Sequence, residues 1–204
     1  MPVTQSLPLL IGIPTRDSTM VIGTMLELIE SGHGLGRPVQ FVSSEASNVP
    51  RARNIVVAQI RANYAAAVHP WVLWIDSDII IAPGGHVAIV DALRWAEEHE
   101  TPIVANYLMA DGQSVVMLGP DRHQVHHGTR EEITELANYA EVQMTGFGFL
   151  YIRHPLSYVF HADLYGEDIH FWWDNPEIQP HLAKQITLGH QKTVVLGDYR
   201  IGGH

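Results

Sequence analysis

The run Trp71 to Ile81, WVLWIDSDIII, limits most tightly what this chain can become. Five apolar residues read as a buried strand, and the strand ends on two carboxylates one residue apart, Asp76 and Asp78. Burying such a strand leaves two negative charges at the edge of a sheet, which is costly unless a cation or solvent meets them. An Asp-x-Asp in that position is a clamp for Mg²⁺ or Mn²⁺, which take oxygen ligands from one or two carboxylates together with phosphate oxygens. The competing reading is an Asx-turn, in which the aspartates bond nearby backbone N–H groups.

With 204 residues the chain is long enough for one domain with a sizeable core. No stretch approaches the roughly 20 apolar residues of a membrane span, so no transmembrane segment is expected. The start, MPVTQSLPLLIGIPTRD, lacks a basic region before its apolar run, and a cytoplasmic protein without a signal peptide is expected. The absence of cysteine excludes disulfides, thiolate catalysis and Cys-zinc sites. A formal charge of −10, with two lysines (Lys184, Lys192) beside ten arginines, argues against a polyanion as the main partner. Thirteen histidines supply many candidate ligands.

Along the chain, strands are expected at Pro8–Pro14, Val39–Ser43, Trp71–Ile75 and Ile103–Leu108. Helices are expected at Thr19–Ser31, closed by the glycine-rich SGHGLG, at Arg51 to about Ala67 behind the cap residues Ser47-Asn48-Val49-Pro50, and from Pro83-Gly84-Gly85 through His99. This alternation predicts an α/β fold with a parallel, doubly wound sheet. Pro14–Asp17, Ser43–Ser47 and Asp76–Asp78 would then meet in one crevice at the strands' carboxyl ends. The second half is less regular. It carries a short strand near Val115–Leu118, either extended structure over Thr134–Met144 or a helix over Arg130–Asn138, and a strand at Phe149–Ile152. A helix opening at Gly166-Glu167-Asp168, a helix from Pro180 to Gly189 and a last strand at Thr193–Leu196 complete it.

Several constellations bear on chemistry. Arg51 and Arg53 stand near a helix N-terminus, where the helix dipole disfavours cations, so an anionic partner would offset their placement. In Thr145-Gly146-Phe147-Gly148, the glycines either relieve a tight backbone or let a substrate approach the main chain. Glu167 and Asp168 suit a helix start by charge alone; the functional reading makes Asp168 a general base for an acceptor hydroxyl. His204, after Gly202-Gly203, reads as a tail or as an imidazole folded back onto a metal.

Taken together and in order, VPRARNIVVAQ, WVLWIDSDIII, IVANYLM, MTGFGFLYIRHP, GEDIHFWW and YRIGGH resemble the GT-A fold glycosyltransferases, particularly the small family-2-like enzymes of bacteria and phages. The resemblance runs from about Leu9 to His204. It implies a GT-A, Rossmann-like, mostly parallel sheet flanked by helices in one catalytic domain over 1–204, with a nucleotide-sugar-binding half (1–108) and an acceptor-binding half (109–204). It implies a UDP- or GDP-sugar donor held by Pro14, Thr15, Arg16, Arg53, Asn54, Asp76, Ser77, Gly146, Phe147 and Gly148. It also implies Mn²⁺ or Mg²⁺ on Asp76, Asp78 and His204, with Asp78 the more direct ligand, and catalysis by the Glu167-Asp168 pair with Asp168 as base. Trp172, Trp173 and Tyr165 are candidates for stacking on a sugar.

Two departures stand out. Many relatives place an aspartate after the second strand to read the nucleobase; here Ser43-Ser44-Glu45 stands there, and Glu45 or a serine must substitute. Residues 110–130 match no family pattern and are expected to shape the acceptor pocket. The acceptor is a glycan, a lipid-linked sugar, a small molecule or a modified nucleic acid base, the last disfavoured by the acidic charge. Two other readings are a haloacid-dehalogenase-like phosphatase with an aspartyl nucleophile and a degenerate transferase that only binds carbohydrate.

Overall fold

The structure is a computed structural model, and it describes residues 7–15, 20–46, 48–64, 70–109, 112–153, 157–161 and 166–190. Strands β1 (Leu9–Thr15), β2 (Val39–Glu45) and β3 (Trp71–Ile75) form the parallel start of the main sheet. All of β1 is buried, and Val72, Leu73, Trp74 and Ile75 are fully buried, as expected of strands covered on both faces. Helix α1 (Ile22–Leu35) connects β1 to β2, and helix α2 (Val49–Tyr64) connects β2 to β3. The N-terminus of α2 is capped as its sequence predicts, with the Arg51 N–H donating to Asn48 Oδ1 at 2.9 Å.

Helix α1 does not stop at Ser31. It continues through Gly32 and Gly34 and ends at Gly36, in the left-handed conformation at φ 67°. Gly32 and Gly34 are packing residues: a Cβ on Gly32 would lie 2.2 Å from Val39 Cγ2 and one on Gly34 2.8 Å from Val90 Cγ2, so a side chain at Gly32 would hold the helix off β2.

Beyond β3 come β4 (Ile79–Ile81), α3 (His86–His99) and β5 (Ile103–Val104). No side chain of α3's own cap residue closes its N-terminus. Glu27 of α1 does so from outside, accepting from the backbone N–H groups of Gly84 (2.9 Å) and His86 (3.0 Å). The remaining elements are the hairpin β6 (Met117–Asp121) and β7 (Gln124–His127), α4 (Arg130–Glu135), β8 (Ala140–Glu141), β9 (Phe149–Arg153), α5 (Glu167–Asp174), β10 (His181–Leu182) and β11 (Leu188–His190). Helix α4 opens on a capping box between Thr129 and Glu132.

The main sheet has seven strands in the order β2-β1-β3-β9-β5-β10-β8. The result is a single α/β domain with a mostly parallel central sheet flanked by helices: β2, β1, β3, β5 and β10 point one way, and β9 and β8 the other. The mostly parallel sheet expected from the sequence is thus present, with β9 lying antiparallel between β3 and β5. That reversal has a consequence for the site. Ile75 pairs with Phe149, so the residues entering β9 lie beside the residues leaving β3.

The helix expected from Pro180 to Gly189 is corrected. His181 and Leu182 pair with Ile103 and Val104 on one side and with Glu141 and Ala140 on the other, while Leu188–His190 pair with β4. Long-range pairing overrides a short, helix-compatible sequence. The strand expected at Thr193–Leu196 lies outside the described residues. Residues 103–108 hold a strand over Ile103–Val104 only, after which Leu108 bridges back to Ser114. The extended and helical alternatives over 130–144 are each realised in part, by β8 and α4. Among the described residues, no helix is long and apolar enough to cross a membrane.

Candidate functional site

The carboxyl ends of β1, β2 and β3 lie in register, with Pro14 beside Ser44, Thr15 beside Glu45 and Gly12 beside Trp74. Pro14 and Thr15 are buried, whereas Glu45 is exposed at the end of its strand. Asp76, Ser77 and Asp78 form the turn from β3 to β4, closed by Ile79 N–H donating to Asp76 C=O at 3.2 Å. An Asp-x-Asp turn is therefore present, and it faces partners that an isolated turn does not need.

Arg53 is the first of them. Its side chain, on α2, is 2% exposed and reaches both Asp76 Oδ1 (3.3 Å) and Glu167 Oε1 (3.2 Å). Its guanidinium sits 4.9 Å from the ring centroid of Phe147 and 5.8 Å from that of Trp74, a cation held in an aromatic box. The anions that offset its place near a helix start are thus carboxylates of the protein. Nη1 nevertheless remains buried without a partner among the described residues. Arg51, two residues earlier, is exposed. The Asn54 amide is engaged at both ends by the backbone of Phe160, donating to its C=O at 2.7 Å and accepting from its N–H at 2.8 Å.

Asp78 meets a residue that no sequence pattern singled out. His190 Nε2, at the end of β11, lies 2.9 Å from Asp78 Oδ2, and its Nδ1 is buried without a partner among the described residues. Its ring also packs 5.5 Å from that of Tyr107.

The Gly146-Phe147-Gly148 loop enters β9 against this group, with Asp76 N–H donating to Gly148 C=O at 3.2 Å. The glycines are required by close approach. A Cβ on Gly148 would lie 2.3 Å from the Tyr107 hydroxyl, and one on Gly146 would lie 2.6 Å from Val115 Cγ2 and 3.2 Å from Asp168 Oδ2. Tyr107 is a second missed residue. Its hydroxyl is held strongly toward the protonated form by burial and by the negative fields of Asp76 and Asp168. Its signal in IVANYLM was a lone phenol just past a strand end, which has no period or spacing to mark it.

Glu167 and Asp168 open α5 behind Gly166, whose φ is 88°. Burial first, and then the charge of Glu167, push the Asp168 carboxyl up to about 6, with Arg53 opposing. Burial also raises Asp76, again against the pull of Arg53. Carboxyls with elevated proton affinity gathered around one cation in a cleft are the usual mark of a chemically active site. Trp172 does not stack on a ligand: it is fully buried, and its Nε1–H donates to Thr145 C=O at 2.6 Å, which fastens α5 to the glycine loop. Trp173 is partly exposed. Arg16, Tyr165 and His204 lie outside the described residues.

The donor chemistry suits a hard divalent cation, since Asp76 and Asp78 each keep an oxygen beyond the one that meets Arg53 or His190. Among the described residues, no group of three or more His, Asp or Glu converges into a metal-holding cluster.

No protein-family model and no curated protein matches the chain. Among solved structures it is similar to the crystal structure of a glycosyltransferase involved in the glycosylation of the major capsid of PBCV-1. The identity is 10% and the TM-score 0.46, over 90% of this chain and 93% of that chain.

Proposed function

We propose that this protein is a glycosyltransferase that moves a sugar from a nucleoside-diphosphate donor to an acceptor hydroxyl with inversion. The observation that carries the reading is the convergence of Asp76, Asp78, Arg53, the Gly146–Gly148 loop and Asp168 in one cleft at the strands' carboxyl ends. The first half of the chain then binds the nucleotide, with Pro14, Thr15 and Glu45 lining its side of the cleft, and the second half binds the acceptor.

In this reading Asp168 takes the proton from the acceptor hydroxyl. The acceptor oxygen forms a bond to the anomeric carbon as the bond from that carbon to the phosphate oxygen breaks, and the electron pair leaves with the nucleoside diphosphate. The proton affinity of Asp168, near 6, lets it be ionised at neutral pH and still accept a proton in the transition state. Gly146 and Gly148 let Asp168 and Tyr107 close directly against the backbone that enters β9. Mn²⁺ or Mg²⁺ held by Asp76 and Asp78, with His204 as the further ligand, would neutralise charge on the departing diphosphate. The phosphatase alternative calls for an aspartate pair after the first strand, and here the pair follows β3.

Thermal shift with UDP, GDP, UDP-glucose and GDP-mannose, with and without Mn²⁺, tests the reading. Stabilisation by one nucleotide series that needs both Mn²⁺ and Asp78 supports it. Silence from every nucleotide sinks it.

A further inference from the structure

A second cavity, of about 880 Å³, lies behind one wall of the candidate site. The wall is the short ladder of residues 106–108 and 113–116, held by Val115 N–H donating to Tyr107 C=O (3.1 Å), by Met109 N–H donating to Gln113 C=O (2.8 Å) and by the Leu108–Ser114 bridge. In extended chain, successive side chains turn to opposite faces. Tyr107 and Val115 close on Gly146 and the site. Asn106, Leu108 and Ser114 line the cavity, which His126 and His127 of β7 and Ile133 of α4 close from the far side.

The lining specifies a chemistry. No carboxylate contributes to it among the described residues, although the whole chain carries −10, and its arginine is Arg130, exposed at the start of α4. Leu108, 56% exposed, and Ile133 give it an apolar body. The Ser114 hydroxyl donates to Asn106 Oδ1 at 2.7 Å, which leaves the Asn106 amide hydrogens to serve a ligand. His127 Nδ1 bonds the Ser114 carbonyl at 2.8 Å. A carbonyl only accepts, so Nδ1 carries the hydrogen and Nε2 of the neutral ring is an acceptor. A donor and an acceptor beside apolar side chains suit hydroxyl groups on an apolar body, and the volume lies within the range of small-molecule sites.

We infer that this cavity is a binding site for an amphiphile, an apolar chain or ring carrying hydroxyl groups, standing back to back with the candidate active site. The inference does not depend on the transferase reading.

The test uses n-octyl β-D-glucoside below its micelle concentration, followed by the ring-proton NMR signals of His126 and His127 in the full chain. Saturable shifts of both signals are expected. Leu108→Asp, at an exposed position, should weaken the apparent affinity at least tenfold. A response equal in wild type and Leu108→Asp, or none at all, overturns the proposal. Mass spectrometry after incubation with the stabilising nucleotide sugar separates two sources of the same chemistry. A sugar added to the glucoside makes the cavity the acceptor's seat, and binding without transfer makes it an effector site; both outcomes support a site there.

Discussion

Arg53 and Asp76 form an ion pair at the end of β3, Nη2 to Oδ1 at 3.3 Å, with the guanidinium shut away from solvent. The same side chain reaches Glu167, so one cation balances carboxylates from the β3–β4 turn and from α5. Arg53→Met leaves both of them facing each other without it. Removing one partner of a buried pair costs about 3–5 kcal/mol, and urea denaturation should show a loss of that order. Arg53→Lys should recover little, because an ammonium cannot present the guanidinium's fork to two partners at once. A loss below about 1 kcal/mol, the value of an exposed pair, would mean that the pair is not a structural element.

Asp168 predicts opposite pH behaviour for activity and for stability. Under the proposed function the base must be ionised, so transfer should rise as pH increases through about 6 and then level off. Its folded proton affinity is raised above that of the unfolded chain. The stability it contributes is therefore fully present below the ordinary aspartate range and is lost as pH rises through about 6. Asp168→Asn should abolish transfer, raise Tm at pH 7.5 and leave Tm unchanged at pH 3.5. For a chain of this length each kcal/mol is worth roughly 2–4 °C, so differential scanning calorimetry resolves the effect. A lower Tm at pH 7.5 would contradict the origin assigned to the shift.

The parts of this site that were legible in the sequence are those with local causes. The β3 strand and its two aspartates, the Asn48 cap of α2 and the acidic start of α5 each follow from residues within a few positions of one another. Tyr107 and His190 were not legible. Each is a single side chain brought in by pairing across the sheet, His190 because β11 pairs with β4 and so sets it opposite Ile79. The segment from Pro180 to Gly189 reads as a helix yet pairs as strands for the same reason: its partners, Ile103, Glu141 and Ile81, are remote in sequence. Helix α1 runs past its sequence boundary because Gly32 and Gly34 serve close packing and not a stop.

Arg122 was equally invisible, in a segment without pattern, and the structure gives it a definite task. From the β6–β7 turn it donates to the carbonyls of Trp172, Asn175 (2.9 Å) and Ile178 at the end of α5, where a cation also complements the helix dipole. Under the proposed function it would act as a positioning residue for Asp168, which opens the same helix. Arg122→Met should cost about 1.5–3 kcal/mol, as for hydrogen bonds to a charged group. It should lower kcat while the KM for the nucleotide sugar holds, and shift the midpoint of the pH–rate profile. A loss of stability with an unchanged kcat and profile would reduce Arg122 to a structural clamp.

Gly148 and Tyr107 are fitted to each other more tightly than any other pair at the site. A methyl group on Gly148 would lie 2.5 Å from the Tyr107 ring carbons as well as 2.3 Å from its oxygen, so Gly148→Ala must push the ring or bend β9. Overpacking of this kind costs about 1–3 kcal/mol. Tyr107→Ala alone should also destabilise, since the side chain is 93% buried (7% exposed). In the double variant the clash has no partner, so the combined loss should be smaller than the sum of the two. A double-mutant cycle in urea measures the difference, and coupling of about 1 kcal/mol or more is expected for residues in contact. Strict additivity would show that the ring does not rest on Gly148. If the coupling holds and Gly148→Ala also weakens nucleotide-sugar binding, the bare backbone at 146–148 serves the ligand as well as the tyrosine.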